Sequence, residues 1–263
     1  MVEGYGPSTY GDRFADVYDD WYGDVTDAAA CAARLAALAR ELDGPVLELG
    51  IGSGRLALPL ASLGVEVHGI DASPAMVERL RAKPGGDAIR VTTGDMAELD
   101  LEEPPQFAVV FVAFNTLFNL PTPDRQQRCL QRVSELLAPE GRFVVEAFVP
   151  RSDLGSEASG SVTPRRIALD EVVLTVSQVD PVAQTITGQH VHLREHGIRL
   201  RPWHLRYAPP AELDAMAAAA GLELESRSAG WSGEPFTEAS GVHVSTYRRG
   251  NVRAVLDHPP AAR

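Results

Sequence analysis

Three glycines at alternate positions follow a short segment that is predicted to be a buried strand. Gly50, Gly52 and Gly54 come directly after residues 46–49. Because glycine has no Cβ atom, this turn allows a ligand to lie directly against the backbone. The helix predicted to follow would offer free backbone N–H groups at its first turn. Strand, glycine turn and helix together predict a site for a nucleoside-type cofactor.

Glu48 and Arg55 help to decide which cofactor this turn holds. The Glu48 carboxylate precedes the first glycine, where it would repel a pyrophosphate and favour a cationic ligand. The dinucleotide pattern Gly-x-Gly-x-x-Gly also requires a glycine where this chain has Arg55. An NAD-dependent oxidoreductase is therefore the less favoured alternative, and titration with a nicotinamide cofactor would distinguish it.

Two further acidic residues follow predicted strands along the chain. Asp71 ends the second predicted strand, which begins at Val65, and lies 21 residues after the first glycine, close to the spacing of about 20 residues at which a carboxylate reaches ribose hydroxyls. Asp95 ends a third unit of the same kind. Ser73 and Pro74 predict the start of a helix, with serine as the N-cap and proline in the first turn.

This order of motifs resembles the class I S-adenosylmethionine-dependent methyltransferases, specifically over residues 46–96 and loosely from about Asp12 to Arg249. The resemblance implies S-adenosyl-L-methionine as the cofactor, which carries an ammonium and a sulfonium but no phosphate. It also implies that Asp95 accepts a hydrogen bond from the adenine amino group. The cofactor-binding residues expected on this basis are Tyr22, Glu48, Gly50, Gly52, Asp71, Ala72, Met76, Asp95, Met96 and Phe114.

Strand and helix patterns alternate through the first 150 residues, which predicts an α/β fold with a doubly wound sheet. The family resemblance implies a seven-stranded Rossmann-like methyltransferase sheet, with an antiparallel β lid inserted after the fifth strand. Ligands of such sheets lie beyond the carboxyl ends of the strands. Four polar residues fall at such ends, namely Glu48, Asp71, Asp95 and Asn115.

The sequence pattern changes after Pro150. Residues 151–164 are rich in Gly, Ser and Pro, which predicts an irregular, mobile segment, and residues 165–207 have β-like alternation. We therefore expect an inserted antiparallel lid and acceptor region over residues 151–207. The expected cofactor-binding core, with an N-terminal flap, covers residues 1–150 and 208–250, and residues 251–263 form a tail.

The residues expected around the methyl acceptor are predicted from weaker sequence signals. His190 and His192 share one face of a predicted lid strand, where an imidazole could act as general base for a hydroxyl acceptor. Asn115 could hydrogen-bond the acceptor or cap the next helical turn. Tyr18, with Tyr22, could close over the methionine end of the cofactor or simply pack. The candidate catalytic residues are therefore His190, His192, Asn115 and Tyr18, and no metal is expected because no third ligand has suitable spacing.

The inserted lid is similar in architecture to small-molecule methyltransferases of the glycine N-methyltransferase-like and aminosugar N-methyltransferase-like types. The loop 114–118 lacks the Asn/Asp-Pro-Pro-Tyr/Phe pattern of DNA and protein amide N-methyltransferases. We therefore expect methyl transfer to nitrogen or oxygen of a small molecule. A non-catalytic S-adenosylmethionine-binding protein is the other alternative.

Charge and cysteine content limit the partners and the location of the chain. The 263 residues include 24 basic and 36 acidic side chains, and the formal net charge of −12 argues against a nucleic-acid substrate. Cys31 and Cys129 are predicted to be buried thiols, which favours a reducing, cytoplasmic location. The longest apolar run, 107–114, is too short to cross a bilayer, so no membrane partner is expected. Whether the chain forms a homodimer stays open.

Overall fold

The computed structural model describes residues 3–23, 25, 27–150 and 159–250. Its strands, in chain order, are β1 (Val46–Leu49), β2 (Val67–Asp71), β3 (Arg90–Thr93), β4 (Phe107–Val112), β5 (Leu137–Phe148), β6 (Ser159–Ile167), β7 (Glu171–Asp180), β8 (Thr185–Arg194), β9 (Gly197–Arg206), β10 (Leu222–Ser228) and β11 (Val242–Arg249). Its α-helices are α1 (Thr9–Phe14), α2 (Tyr18–Tyr22), α3 (Ala28–Glu41), α4 (Ala57–Ser62), α5 (Pro74–Arg81), α6 (Pro123–Leu136) and α7 (Pro210–Ala219).

The large sheet contains seven strands in the order β3-β2-β1-β4-β5-β11-β10. Strands β1 to β5 are parallel, and β11 joins β5 in antiparallel pairing. All six residues of β4 are buried, as expected for a central parallel strand with helices on both faces. The predicted doubly wound methyltransferase sheet is therefore confirmed, and the carboxyl ends of β1, β2 and β3 lie side by side.

The inserted sheet (β6–β9) is a separate four-stranded antiparallel sheet that leaves the core after β5. The prediction of an irregular segment is wrong for residues 159–164, which begin β6. Their Gly, Ser and Pro content concealed an edge strand, and edge strands tolerate these residues because one side makes no ladder hydrogen bonds. Residues 151–158 of the predicted segment lie outside the described residues, as does the tail 251–263.

Two helices begin at residues whose side chains cap the first turn, and one of these, Ser73, is the predicted N-cap. The Ser73 hydroxyl accepts a hydrogen bond from the backbone N–H of Met76 at 3.2 Å, and Pro74 occupies the first turn of α5. Asp27 caps α3 in the same way through the N–H of Ala30 at 2.9 Å. None of the helices within the described ranges is long and apolar enough to cross a membrane.

The N-terminal segment (residues 3–23) packs against the inserted sheet through an ion pair between a buried arginine and an exposed aspartate. Arg201 on β9 is 1% exposed, and its Nη2 donates to Asp16 Oδ2 at 2.9 Å. Arg199 donates to the same carboxylate at 2.9 Å, and the Arg201 guanidinium stacks over the Trp21 ring at 5.4 Å. These contacts hold helices α1 and α2 between the inserted sheet and the large sheet.

Candidate active site

The glycine turn after β1 adopts backbone conformations that favour glycine. Gly50, Gly52 and Gly54 have φ angles of 68°, 56° and 79°. A Cβ added at Gly50 would lie 2.4 Å from Thr116 Cγ2, and one at Gly54 would lie 2.2 Å from Leu80 Cδ1. A Cβ at Gly52 would meet only a backbone oxygen at 3.9 Å. The outer two glycines therefore serve close packing, and the middle glycine leaves open space.

Asp71, at the end of β2, is held beside this turn by two backbone N–H groups. Its Oδ2 accepts from Gly52 N and its Oδ1 accepts from Ser73 N, both at 2.8 Å. Burial raises the pKa of the Asp71 carboxyl, although these two hydrogen bonds oppose the shift. Ser73 is fixed in turn, because its hydroxyl donates to Asp12 Oδ1 at 2.6 Å. The carboxylate predicted to reach a ribose thus lies at the glycine turn.

The cofactor cleft is a concave pocket beside the glycine turn. It is also lined by residues of the N-terminal segment, including Tyr5, Tyr10 and Gly11. The predicted cofactor residues that line it are Gly50, Gly52, Asp71, Ala72, Met76, Asp95 and Met96. The structure therefore brings together residues from the ends of three neighbouring strands.

Both carboxylate oxygens of Asp95 have protein partners. Oδ1 accepts from the backbone N–H of Ala97 at 2.8 Å, and Oδ2 pairs with the guanidinium of Arg125. These contacts fix the carboxylate at the carboxyl end of β3. A hydrogen bond from the adenine amino group to Asp95 stays a prediction, and it would have to share an oxygen that is already bonded.

Glu48 lies beneath the turn and is only 5% exposed. Its carboxylate accepts a hydrogen bond from the backbone N–H of Ala57, while Oε2 has no hydrogen-bond partner. Burial raises the pKa of this carboxyl, and the nearby Arg55 opposes that shift. A small cavity of about 280 Å³ joins Glu48, Arg55, Tyr18 and Gly50. Because a buried unpaired oxygen is costly, a cationic ligand group at this end would stabilise the ionised form.

An aromatic chamber of about 670 Å³ adjoins the cofactor cleft. The ring centroids of Tyr18 and Tyr22 are 5.1 Å apart, and those of Tyr22 and Phe114 are 5.9 Å apart. The residues that line the chamber are Tyr10, Tyr18, Tyr22, Phe114, Asn115, Thr116, Asn119, His190, Trp203 and Leu205. Since Tyr10 and Tyr18 line both cavities, a molecule in the chamber would lie next to one in the cleft.

His190 reaches the chamber from β8 of the inserted sheet. Its Nδ1 lies 3.0 Å from Thr175 Oγ1, and its Nε2 lies 3.4 Å from the Tyr22 hydroxyl. Burial, together with the positive charges of Arg165 and Arg201, lowers the pKa of the imidazole to about 4. His190 is therefore neutral at pH 7 and is a weak base.

His192 shares the inward face of β8 but does not line the chamber. Its Nε2 lies 2.8 Å from Glu171 Oε2, and its ring centroid lies 5.8 Å from that of Trp21. The side chain is 3% exposed and is packed between the N-terminal segment and β7. No group of three metal-ligating side chains occurs within the residues that the structure describes. The structure thus places only one of the two predicted histidines where an acceptor could bind.

Phe114 and Asn115 form a strained turn at the carboxyl end of β4. Their φ angles are 47° and 64°, a left-handed conformation that is costly for Phe114 and that asparagine tolerates better. The Phe114 N–H donates to Glu146 Oε2 at 2.9 Å, and Asn115 Oδ1 accepts from Phe148 N at 2.6 Å. The Asn115 side chain therefore ties the turn to β5 and makes no cap bond to the following 3₁₀ helix.

Three aromatic residues of the site escaped the sequence analysis. Tyr5 and Tyr10 lie in the Tyr-rich N-terminus, whose composition was the available signal, and Trp203 lies on β9. A Cβ added at Gly188, opposite Trp203 in the inserted sheet, would lie 2.3 Å from Trp203 Cζ2. The indole therefore lies across the β8 backbone at Gly188, the one residue of that strand without a side chain. The alternation of apolar and polar residues along a strand does not reveal such a contact.

Comparison with known proteins agrees with this geometry. Residues 46–141 match the family described as "Methyltransferase domain". The structure of the CcbJ methyltransferase from Streptomyces caelestis is 44% identical, with a TM-score of 0.86, and the match covers 94% of this chain and 100% of that one.

Two further relatives extend the comparison. CalS10, an amino pentose methyltransferase from Micromonospora echinaspora with S-adenosylmethionine bound, is 26% identical, with a TM-score of 0.66 over 89% of this chain and 96% of that one. The cypemycin N-terminal methyltransferase of Streptomyces sp is 27% identical over 239 residues, which are 89% of this chain and 95% of that protein.

These findings also decide between the cofactors considered from the sequence. The NAD-dependent alternative is wrong, as is that of a non-catalytic binding protein, because the similarity to the CcbJ enzyme extends over nearly the whole of both chains. The open face at Gly52 and the unpaired Glu48 oxygen fit a cofactor with a cationic end. The chain belongs to the class I S-adenosylmethionine-dependent methyltransferases, and S-adenosyl-L-methionine is its cofactor.

Proposed function

We propose that this enzyme transfers a methyl group to nitrogen or oxygen of a small molecule, and that an amine nitrogen is the preferred acceptor. The observation that carries this proposal is the chemistry of the aromatic chamber. Among the described residues that line it, none is Asp, Glu, Lys or Arg. An acceptor in this chamber would therefore be surrounded by aromatic faces and neutral polar groups.

The titratable groups of the chamber are uncharged at neutral pH. Burial raises the pKa of Tyr18 to about 12 and raises the pKa values of Tyr10 and Tyr22. Burial lowers that of His190 to about 4. The Arg165 guanidinium also stacks over the Tyr22 ring at 4.9 Å, outside the chamber lining. These surroundings disfavour a protonated amine and so favour the neutral form, which is the nucleophile.

Bound S-adenosylmethionine would supply an electrophilic methyl group for in-line displacement. The amine lone pair would form the new N–C bond as the C–S bond breaks, and the positive charge would pass from sulfur to nitrogen. The transfer would move one positive charge and create none, so a chamber lined by uncharged side chains does not oppose it. Positioning the amine in line with the methyl carbon supplies much of the remaining rate enhancement.

A hydroxyl acceptor is the second candidate. It ranks below an amine because its methylation would require a base that removes the hydroxyl proton. His190 is the titratable group suited by position, since its imidazole lines the chamber. A general base works best when its pKa is near the working pH. The low pKa of His190, about 4, makes it a poor base at pH 7. Nitrogen therefore ranks above oxygen.

The proposal also gives a role to each of the two parts of the chain. The inserted sheet, within residues 151–207, acts as a lid over the core formed by 1–150 and 208–250. The contact between Tyr22 and His190 and the pairing of Arg201 with Asp16 support closure of this region over the site. Closure would exclude water and strengthen the electrostatic effects of the chamber.

Relatives with named acceptors support nitrogen. CalS10 is described as an amino pentose methyltransferase, and the cypemycin enzyme as an N-terminal methyltransferase. The formal net charge of −12 supports an acceptor other than nucleic acid. The buried free thiols of Cys31 and Cys129 are consistent with the predicted cytoplasmic location.

A pair of acceptors on one scaffold tests the choice between nitrogen and oxygen. The enzyme is supplied with methyl-labelled cofactor and with an amine or the corresponding alcohol, and label transfer is measured by mass spectrometry. We expect the amine to react at least about 100-fold faster, because no strong base serves the alcohol. His190→Gln should leave the amine reaction within about threefold of the wild type. Faster alcohol methylation that is lost in His190→Gln would instead identify oxygen as the acceptor.

A further inference from the structure

The N-terminal segment covers part of the cofactor cleft. It is held on the start of α5, because a Cβ added at Gly11 would lie 2.4 Å from Ser73 Cβ and Asp12 accepts from the Ser73 hydroxyl at 2.6 Å. A cofactor in the cleft would lie beneath this segment, and its demethylated product would have to leave after each methyl transfer. The contacts between the segment and the core therefore bear on the rate of exchange. The segment residues that line the cleft are Tyr5, Gly6, Pro7, Tyr10, Gly11 and Tyr18.

Asp19, in the first turn of α2, joins the segment to the glycine turn. Its Oδ1 accepts from Ser53 Oγ at 2.5 Å and from Lys83 Nζ at 2.8 Å. Lys83 Nζ also donates to the backbone oxygen of Ser53 at 2.8 Å, and Arg79 Nη2 lies 3.4 Å from Asp19 Oδ2. Ser53 is part of the glycine turn and is fully buried. We call these four residues, Asp19, Ser53, Arg79 and Lys83, the Asp19 cluster.

Lys83 has a central place in this cluster. Among the 24 lysine and arginine residues of the chain it is the one lysine, and it follows α5 closely. A lysine ammonium presents three N–H donors from a single atom. It can therefore bond the Asp19 carboxylate and the Ser53 carbonyl at the same time, as the two distances of 2.8 Å show. One charged atom thus links the N-terminal segment to the backbone of the glycine turn.

The ion pair between the segment and the inserted sheet differs from this one in exposure. The Arg201 side chain, which pairs with Asp16, is 2% exposed, whereas the side chains of Lys83 and Asp19 are 30% and 29% exposed. Separation of Asp16 from Arg201 would leave a buried, uncompensated charge. Water and salt screen the more exposed pair and hydrate its groups when they separate. The segment should therefore separate from the glycine turn more readily than from the inserted sheet.

We propose that the Asp19 cluster sets the rate at which cofactor and product leave the cleft, with Lys83 as a positioning residue that acts through Asp19 and Ser53. The inference rests on the proposed binding of the cofactor in the cleft. A bound cofactor would contact Tyr10 and Tyr18 while the segment is closed, so it would favour the closed form. When the cluster is broken, the segment separates more often and the bound ligand leaves faster.

Product release from the full chain tests the role of Lys83. Bound tritiated S-adenosyl-L-homocysteine is diluted into an excess of unlabelled ligand, and rapid filtration follows the loss of label. We expect Lys83→Met to raise the release rate about fivefold, because it removes an ion pair and a hydrogen bond of the closed form. Lys83→Arg keeps the charge and should release the product more slowly than Lys83→Met. The matched control is Arg142→Met, which removes the partly exposed ion pair with Glu225 in the large sheet and should leave release unchanged.

A double-mutant cycle tests whether Lys83 acts through Asp19. Asp19→Asn keeps an acceptor for the Ser53 hydroxyl but removes the charge, so it should also raise the release rate. The double variant Asp19→Asn/Lys83→Met should release the product no faster than the faster single variant, because both changes break the same contact. Added salt should accelerate release from the wild type more than from Lys83→Met.

Three results would overturn the proposal. The first is an unchanged release rate in both Lys83→Met and Asp19→Asn, with thermal melting showing that the variants are folded. The second is an equal acceleration in Arg142→Met, and the third is a double variant in which the two accelerations multiply. The placement of the cofactor is tested separately by Gly52→Val. If that placement is wrong, this variant keeps its cofactor affinity. If the role of the Asp19 cluster is wrong, Gly52→Val loses affinity while Lys83→Met releases the product at the normal rate.

Discussion

The large sheet and the inserted sheet contribute to one site by different means. In the large sheet, β4 is buried at every residue and the polar groups of the candidate site lie at or near strand ends, as Glu48 and Asp71 do. In the inserted sheet, the first four residues of β9 are exposed and site residues such as His190 and Trp203 lie within strands. The cofactor cleft therefore follows from topology and backbone, whereas the chamber in which we propose that the acceptor binds depends on individual side chains.

This difference has a consequence for tolerance to mutation. A strand-end group in the large sheet is fixed by several backbone hydrogen bonds, as Asp71 is by two N–H groups. A mid-strand group on one face of a two-sided sheet can change without altering the ladder. We therefore expect substitutions in the large sheet to affect cofactor affinity and those in the inserted sheet to affect the acceptor.

The largest effect is expected at the glycine turn. Gly52→Val places a branched side chain at a φ of 56°, in space open to the cleft. We expect cofactor affinity to fall at least about 100-fold, because the ligand must lie against that backbone. Isothermal titration calorimetry measures the loss. Gly64→Val is the matched control, since Gly64 has a φ of 80° and no atom within 4 Å of an added Cβ; a similar loss there would assign the effect to strain.

Asp71→Ala should have the next largest effect. Loss of hydrogen bonds to a charged group corresponds to about 1.5–3 kcal/mol, or roughly 10- to 100-fold in cofactor affinity. Calorimetry measures the affinity, and thermal melting checks that the protein stays folded without the two backbone bonds of Asp71. Asp71→Asn keeps the shape and some hydrogen bonding. Unchanged affinity in both variants would contradict the ribose contact.

Trp203→Ala tests the contribution of the inserted sheet. Removal of an aromatic wall should raise the acceptor KM about tenfold, since one such contact contributes on the order of 1 kcal/mol beyond lost burial. The cofactor Kd should stay the same, because Trp203 lines the chamber and not the cofactor cleft. Steady-state kinetics with each substrate varied in turn separates the two. A loss confined to cofactor affinity would reverse the assignment of the two sheets.

The smallest effect is expected in acid stability. His190 in the inserted sheet and His243 in the large sheet both have pKa values lowered by burial to about 4, against an ordinary value of 6.5. Their neutral forms stabilise the fold above pH 6.5, and this contribution is lost as the pH falls from 6.5 towards 4. His190→Gln and His243→Gln should each show a smaller fall in Tm across that range.

Melting curves at stepped pH measure the effect, and His192→Gln is the control. His192 lies two residues from His190 on the same strand, but its imidazole pairs with the Glu171 carboxylate. An acid-induced fall in Tm that is the same in all three variants and in the wild type would assign the loss to carboxyl groups instead.

The sequence predicted the large sheet well because its signals are local. Glycine spacing, apolar runs and the Ser73-Pro74 cap each report on a few neighbouring residues. The start of β6 was missed because Pro164 and its Gly and Ser neighbours are typical of loops, yet an edge strand accommodates them. Local composition does not reveal pairing with a distant strand.

The acceptor side was harder to predict because it depends on distances between segments remote in sequence. Alternation correctly put His190 and His192 on one face of β8, but it could not show that only His190 reaches Tyr22. Tyr10 and Trp203 resemble core residues in any local pattern. Their place in the site follows from the packing of the N-terminal segment on the inserted sheet.

The close approach of the Trp203 indole to Gly188 offers a route to altered acceptor range. A single methyl group at Gly188 would collide with the ring and force it to tilt into the reaction space or away from it. Gly188→Ala would thus reshape the acceptor wall without changing any polar group. Natural drift or directed evolution could use this position to exchange one methyl acceptor for another while leaving methyl-donor binding intact.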